Sequence, residues 1–459
     1  MKEPQEPRLL HSVLSFGGVV TIVIVGLLWF GISLHSLLLV SLVWVAGNSV
    51  AIGHRYASIK AAMTSGIAKG LGAIYIFILI GVLVASLLES GTIGSLIYYG
   101  IDLLHPAVFL PAGLLLCTLM SLATGTSWGT IATAGVVLVG LGEALGIPLP
   151  VVAGMVISGA SFGDKMSPVS DTTVLAAMTA ETDIYAHIRS MFYTSGPTYI
   201  ICLAAFSLLG LQFAGQSLSE QTQVELQSGL SSEFVIGPLA LLPLLVLLAL
   251  SLKRVPAEPS MLASVATAVA VQDRTLVDVL NSLQGGYVAN TGLEQLDSLL
   301  NRGGIQSMMW TLSLALIALA LGGLLDRAGF VRVLMNGILA RMRRAASLMT
   351  ATIGSGLVAN MSMGEAYLSI IFGGQLFKAS YEEQKLENHL MSRCLEEGAT
   401  LTTPLIPWTT SGAFCMGVLG VSSLAYAPWA LFNYVNPLLS IILAYMGFGI
   451  FRQVLSNDN

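Results

Sequence analysis

The sequence contains little charge and little cysteine, and each shortage excludes a class of protein. Only 10% of its 459 residues are charged, against about 25% in soluble domains, while 55% are hydrophobic. A soluble globular domain is therefore excluded. The 4 cysteines lie in apolar segments at no metal-like spacing, so neither a disulfide framework nor a cysteine metal site is expected. We also expect no cofactor and no nucleic-acid partner.

What the sequence does contain is a series of long apolar runs between residues 13 and 451. About 20 helical residues cross the roughly 30 Å hydrocarbon core of a bilayer. The runs are uniformly apolar and lack the alternation of membrane β-strands, which indicates helices. We predict an all-α polytopic membrane protein with about 13–14 transmembrane helices. The predicted spans are 13–30, 32–47, 70–88, 107–122, 129–146, 149–180 (interrupted), 191–211, 234–252, 260–272 (short), 307–325, 345–360, 365–377, 394–418 (interrupted) and 428–451.

The basic residues predict the orientation. If the N-terminus is cytoplasmic, 17 of the 20 Lys and Arg residues lie on the inner side or at inner span ends. The exceptions are Arg274, Arg302 and Lys165. Both termini are then cytoplasmic. The span at 260–272 is short for a membrane crossing. If it does not cross, the predicted orientation of every later span is reversed. The start, MKEPQEPRLLHS, has no signal-peptide cleavage site, so we expect the first helix to be retained.

Three short matches relate the two halves of the chain at an offset of about 236 positions, and the basic residues of the matched loops are reversed. Residues 89–106 hold no Lys or Arg, whereas residues 326–344 hold five Arg. An odd number of spans per half with reversed charge predicts two inverted-topology repeats, 1–230 and 231–459, with a site between them near the midplane. The alternative is that any two apolar halves align somewhere. The matches are LLESG (87–91) with LLDRAG (324–329), TGTSWGT (124–130) with NMSMGE (360–365), and SPVSDTT (167–173) with TPLIPWTT (403–410).

The stretch GASFGDKMSPVSDTT (159–173) places polar and charged side chains inside an apolar span. Gly163 and Pro168 resist helix continuation, and Ser167 before Pro168 is typical of a helix start, which predicts a broken or re-entrant helix. Gly398 and Pro404, with Thr403 as the cap, predict the same in the second half. Broken backbone at membrane depth frees polar groups that can coordinate an ion.

Asp164 and Asp171 are the leading candidate ligands, because a carboxylate at mid-membrane is costly unless it is paired, hydrated or protonated. Together with Lys165 as charge partner, they suit competition between a proton and a sodium ion. Apart from transported Na⁺ we expect no metal. Neutral oxygens are expected from Thr126, Ser127, Ser167, Thr172 and Thr173, and the second half is expected to contribute Asn360, Glu365, Thr403, Thr409 and Thr410.

Other interpretations of the same residues remain open. Lys165 and Asp164 could be an inert pair that fixes helix packing, and Asp171 could only be stabilising the start of a helix. Lys165 could also extend to the cytoplasmic surface. Glu396 and Glu397, just before the second break, have either a direct role or a place in a loop. The six histidines lie near span ends, which argues against a metal site.

At these residues the chain resembles the NhaC-type sodium/proton antiporter family of bacteria. The resemblance rests on GASFGDKMSPVSDTT followed by LAA, and on SRCLEEGATLTTPLIPWTTSGA (392–413) with its Pro-Trp pair. It implies exchange of Na⁺ for H⁺, and some relatives exchange Na⁺ and lactate for malate and protons. The family usually has Leu and Asn where this chain has Val169 and Val174, and the second departure favours an organic co-substrate if that Asn binds cargo.

We therefore predict an antiporter, not an enzyme, that exchanges Na⁺ for H⁺ across the bacterial inner membrane, with Li⁺ as a second candidate cation. Asp171 is expected to be the main cation and proton carboxylate, with Asp164 beside it. The alternative is Na⁺-coupled exchange or symport of a small organic anion or amino acid, whose carboxylate would suit a helix N-terminus. A passive channel is a third reading. The expected partners are the cargo and the lipid bilayer, and such transporters often form homodimers.

Overall fold

The computed structural model describes residues 5–103, 105–215, 220–253, 255–272, 274–293, 297, 300–301, 303–339 and 342–453. Within these ranges the chain is helical, with one isolated antiparallel bridge between Leu386 and Arg452 and no strand. The helices are α1 Leu9–Leu28, α2 Leu34–Ala51, α3 Tyr56–Lys69, α4 Leu71–Glu89, α5 Thr92–Leu103, α6 Pro106–Thr124, α7 Ser127–Ala144, α8 Leu149–Met166, α9 Asp171–Thr179, α10 Ile184–Gln212, α11 Glu220–Glu233, α12 Leu242–Leu252, α13 Ala257–Val271, α14 Leu276–Gly285, α15 Gly304–Arg327, α16 Phe330–Leu339, α17 Ala345–Met363, α18 Ala366–Glu383, α19 Asn388–Ala399, α20 Thr410–Leu419, α21 Ser423–Tyr426 and α22 Leu431–Tyr445.

The predicted all-α membrane architecture is confirmed. Among the described residues, 6 helices are long and apolar enough to cross a bilayer, or up to 9 if each bent pair counts as one span. The other predicted spans, 70–88, 149–180, 234–252, 260–272, 345–360, 365–377, 394–418 and 428–451, also contain helix, but no helix described there meets that length and apolarity as one unbent segment. The span predicted at 260–272 is α13, a helix of 15 residues that packs on α12 and α4.

Both predicted interruptions exist, but the helices end and restart later than expected. α8 continues through Gly163 to Met166, and α9 starts at Asp171 with Ser170 as its cap. In the second half α19 continues past Gly398, a 3₁₀ turn covers Thr403–Leu405, and α20 starts at Thr410. The two glycines were therefore wrongly predicted as breaks, and Ser167 and Thr403 as helix caps. Pro168 and Pro404 do lie within the breaks.

Gly163 and Gly398 serve close helix packing instead. A Cβ on Gly163 would lie 2.4 Å from the carbonyl oxygen of Thr118 on α6, and one on Gly398 would lie 2.4 Å from that of Ile353 on α17. Small residues at such contacts let helix backbones approach in a membrane, where hydrophobic burial gives little drive for association. The glycines therefore hold each interrupted helix against the helix that precedes the site.

Positions 239 apart have the same structural role in the two halves. Gly125 and Gly364 have the left-handed backbone conformation and cap the C-termini of α6 and α17. Ser121 donates to the carbonyl of Ala160, and Asn360 donates to that of Ala399, both pairs at this offset. The sequence alignment had placed the offset at about 236, roughly one helical turn short. Three further pairs of residues are separated by 239 positions. They are the helix caps Thr126 and Glu365, the helix caps Ser170 and Thr409, and the glycines Gly159 and Gly398.

Candidate cation-binding site

The N-termini of four helices, α7, α9, α18 and α20, surround one cavity. Each is capped by a side-chain oxygen that accepts a backbone N–H bond. Helix N-termini carry partial positive charge, which favours nearby carboxylates. Two of these four N-termini have a carboxylate side chain beside them. The cap of α18 is Glu365, and the first residue of α9 is Asp171. The caps are Thr126, Ser170, Glu365 and Thr409.

The cavity has a volume of about 590 Å³ and is lined by both halves of the chain. It reaches Lys69 at the end of α3 and Glu258 at the start of α13, which lie at the predicted cytoplasmic ends of their helices. A single ion needs far less space, and roughly 20 waters at about 30 Å³ each would fill it. Its wall contains these predicted site residues: Thr126, Ser127, Asp164, Lys165, Asp171, Thr172, Glu365, Thr403, Pro404 and Thr410.

Asp164 lies in the last turn of α8 and is 3% exposed. Its Oδ2 accepts a 2.8 Å hydrogen bond from the hydroxyl of Ser127, which is in the first turn of α7. Its Oδ1 is buried and has no hydrogen-bond partner among the described residues. Buried polar atoms nearly always have a partner, so an orphan carboxylate oxygen on a residue that lines the cavity marks a place for a donor or a cation.

Lys165 is fully buried and does not extend to the surface. Its Nζ donates to Glu396 Oε1 at 2.6 Å and to Thr172 Oγ1 at 2.8 Å, whereas Asp164 Oδ2 is 3.6 Å away. The main partner of the lysine is therefore Glu396 on α19, in the other half of the chain, rather than its sequence neighbour. Asp164 therefore has a neutral hydrogen-bond donor in Ser127 and a longer ion pair with Lys165 at 3.6 Å.

Asp171 lies at a more exposed part of the same wall. Its Oδ1 accepts the backbone N–H of Thr172, and its Oδ2 accepts a hydrogen bond from the phenol of Tyr367 on α18. The backbone N–H of Tyr367 donates to Glu365 Oε2 at 2.6 Å, and the hydroxyl of Thr410 is 3.4 Å from Glu365 Oε1. Tyr367 thus joins the carboxylates contributed by the two halves.

Several predicted ligands instead hold the backbone around the site and do not line the cavity. Ser167 donates to the carbonyl of Leu122, and Thr173 donates to that of Asp164. Thr409 caps α20 and donates to the carbonyl of Thr403. The Nδ2 of Asn360 donates to the carbonyl of Ala399 and to Thr402. These residues fix the two breaks.

The sequence analysis missed or underestimated four residues at the site. Glu396 lies in a helix and is fully buried, so the loop alternative for it is wrong. The signal was available, because the Glu-Glu pair in CLEEGA lies inside an apolar span. His187, Tyr367 and Asn433 carry no motif; Asn433 Nδ2 donates to Ser161 and to the carbonyl of Leu401 in the second break. Only the packing of distant segments brings them to the site.

Comparison of the sequence with known proteins matches the chain to a family. A family model described as the Na⁺/H⁺ antiporter family matches residues 7–183 and 159–448. The malate-2H(+)/Na(+)-lactate antiporter of Bacillus subtilis is 34% identical over 451 residues, 97% of this chain and 96% of the relative. The Na(+)/H(+) antiporter NhaC of Alkalihalophilus pseudofirmus is 35% identical over 449 residues, 96% of each chain. The arginine/ornithine antiporter ArcD of Halobacterium salinarum is 32% identical over 460 residues, 98% of this chain and 94% of the relative.

Proposed function

The chain belongs to the Na⁺/H⁺ antiporter family, and on that premise we propose that it exchanges Na⁺ for H⁺ across the bacterial inner membrane. The observation that carries the proposal is Asp164, a buried residue that lines the cavity and whose carboxylate has an orphan oxygen. Its relatives are transporters by name rather than enzymes, and the transport requires no cofactor. Transported Na⁺ and H⁺ are its substrates.

The proposed cation site is the part of the cavity wall where α7 and α8 meet. Asp164 Oδ1 would be the charged ligand, and Ser127 and Thr126 would supply neutral oxygens, since Na⁺ prefers oxygen ligands like other hard cations. Asp171 and Glu365 line the same cavity, and Tyr367 of the second half is hydrogen bonded to both. A proton that binds near the site opposes the positive charge of Na⁺, so the two substrates bind alternately.

Alternating access follows from the proposal that residues 1–230 and 231–459 are inverted repeats. The equivalences at 239 positions support it, as does the mutual packing of the restarted helices: α9 packs on α18 and α19, while α20 packs on α7 and α4. Rocking of one repeat against the other would move the site between the two membrane surfaces. Because the cavity reaches the predicted cytoplasmic ends of α3 and α13, we assign this conformation as inward-facing, with both termini cytoplasmic.

A second candidate function is Na⁺-coupled exchange of a small organic ion. The specific observation is the cavity volume of about 590 Å³, within the range of pockets that bind small molecules. Four helix N-termini and Lys69 would favour a substrate carboxylate there. Two of the relatives named above are exchangers of organic ions, one of malate and lactate and the other of arginine and ornithine.

The test uses everted membrane vesicles with a pH-gradient dye, to which Na⁺, Li⁺, K⁺ or malate with lactate is added. We expect Na⁺ to collapse the gradient in the wild type and not in Asp164→Asn, because the amide carries no charge for the cation. Asp171→Asn tests the second carboxylate in the same way. Asp183→Asn is the matched control, since Asp183 is an exposed cap of α10 and asparagine caps helices equally well. An undiminished Na⁺ response in Asp164→Asn would refute the proposed site, and a response that requires malate and lactate would favour the second function.

A further inference from the structure

Behind the cavity wall, two buried titratable side chains face each other without a hydrogen bond. His187 Nε2 on α10 and Glu396 Oε2 on α19 are 3.7 Å apart, and neither atom has a hydrogen-bond partner within the described part of the chain. The other imidazole nitrogen, Nδ1, is hydrogen bonded to the hydroxyl of Ser392. A proton on His187 would give the ring N–H donors on both sides, so that Ser392 and Glu396 would each accept one.

Lys165 connects this pair to the proposed cation site. Its Nζ is 2.6 Å from Glu396 Oε1 and 3.6 Å from Asp164 Oδ2, so a displacement of about 1 Å would exchange its carboxylate partners. A cation on Asp164 repels the ammonium toward Glu396, and its departure lets the ammonium approach Asp164. Thr400 lines the cavity and donates to the same Glu396 oxygen, so both Lys165 and Thr400 link Glu396 to the cavity.

We propose that the His187–Glu396 pair binds one exchanged proton, and that Lys165 transmits its binding to the Na⁺ on Asp164. In the Na⁺-loaded state, Na⁺ is paired with Asp164 and Lys165 with Glu396, while His187 is neutral. In the proton-loaded state, Lys165 is paired with Asp164, and protonated His187 is paired with Glu396. One Na⁺ leaves for each proton that enters, and no other bond is broken.

The two states have equal charge, which is the physical reason for the coupling. An unpaired charge inside a membrane protein is strongly unfavourable, so states with both cations or with neither are disfavoured. The charged and titratable groups around His187 favour its protonation only after Lys165 has moved away from Glu396. Lys165 on α8 and Arg393 and His389 on α19 oppose a second positive charge, whereas Glu396 favours it. Asp164 and Asp171 belong to the cavity side, and Glu397 is near Arg393 and hydrogen bonded to Thr194.

The inference depends on the proposed Na⁺/H⁺ exchange and is tested by the protons released when Na⁺ binds. Purified full-length protein in weakly buffered detergent solution is titrated with NaCl against choline chloride, with a pH indicator as the readout. Binding of a cation that displaces a proton should release about one proton per Na⁺ in the wild type. In His187→Gln we expect Na⁺ still to bind, measured by calorimetry, with less than about half of that release. His389→Gln is the matched control and should release protons like the wild type.

Each outcome of these measurements either supports or overturns the role of the His187–Glu396 pair. Release equal to the wild type in His187→Gln would overturn the inference and leave the proton on a cavity carboxylate. If His187→Gln does not fold, Glu396→Gln replaces it: Lys165 should then remain on Asp164, and Na⁺ affinity should fall about tenfold or more. Wild-type Na⁺ affinity and proton release in Glu396→Gln would also overturn the inference. Undiminished Na⁺ binding by Asp164→Asn would refute the proposed cation site, whereas absence of Na⁺ binding by the wild type would refute the proposed function itself, both independently of His187.

Discussion

The buried ion pair between Lys165 and Glu396 allows a quantitative test of how the two halves are held together. Replacing Lys165 by Met keeps the length of the side chain and removes its charge. Glu396, with no exposed surface, would then retain the hydroxyl of Thr400 at 3.4 Å, the hydroxyl of Thr172 and His187 at 3.7 Å. Removing one partner of a buried pair typically costs about 3–5 kcal/mol, because the remaining charge is uncompensated.

The reverse substitution should cost less, for a reason visible in the structure. In Glu396→Gln, Lys165 still has Thr172 at 2.8 Å and can approach Asp164, now 3.6 Å away. We therefore expect a loss of about 1–3 kcal/mol in the free energy of unfolding. The double variant Lys165→Met/Glu396→Gln leaves no unpaired charge at Glu396, so it should be at least about 1 kcal/mol more stable than Lys165→Met alone.

The assay is unfolding by sodium dodecyl sulfate in mixed micelles, followed by tryptophan fluorescence. Lys69→Met is the control, because Lys69 and Asp326 form a more exposed pair at 3.4 Å, which should contribute at most about 1 kcal/mol. A double variant as unstable as the sum of the two single variants would show that the charges are not coupled. The assignment of Glu396 as the partner of Lys165 would then be wrong.

Two further predictions concern the helix ends and the orientation. Gly125→Ala and Gly364→Ala both place a side chain in a left-handed conformation at a cost of about 1 kcal/mol, but only at Gly125 would the new Cβ meet other atoms closely, at 2.6 Å from Val169. Unfolding in mixed micelles should therefore show Gly125→Ala to be the less stable variant, and equal losses would contradict the packing around the first break. In intact cells, a membrane-impermeant maleimide should label Val288→Cys, which is 75% exposed and predicted outside, but not Tyr56→Cys, which is 78% exposed and predicted inside. The native cysteines are all buried, so background labelling should be low, and the opposite pattern would reverse the proposed orientation.

The sequence predicted the membrane class, the interrupted helices and ten residues of the cavity wall because these depend on composition and local chemistry. Asp164 and Asp171 could be found because an acidic residue in an apolar span is rare and costly. The glycines were assigned wrongly because a glycine that breaks a helix and a glycine that packs against a neighbouring helix look alike in sequence. Gly163 and Gly398 are of the second kind, and the contacts with Thr118 and Ile353 that reveal this come from other helices.

The amino-acid sequence by itself determined that this chain crosses a membrane many times and that its helices break where charged and hydroxyl side chains cluster. Periodicity, proline and the cost of burying charge act over a few residues and can be read locally. Which partner each charge has was decided only by the tertiary structure. Lys165 Nζ lies 2.6 Å from Glu396, 231 positions away, and 3.6 Å from adjacent Asp164, so its shorter ion pair is with the distant carboxylate. Consecutive side chains on a helix point in directions about 100° apart, so the packing of α8 against α19 determines which carboxylate the ammonium meets.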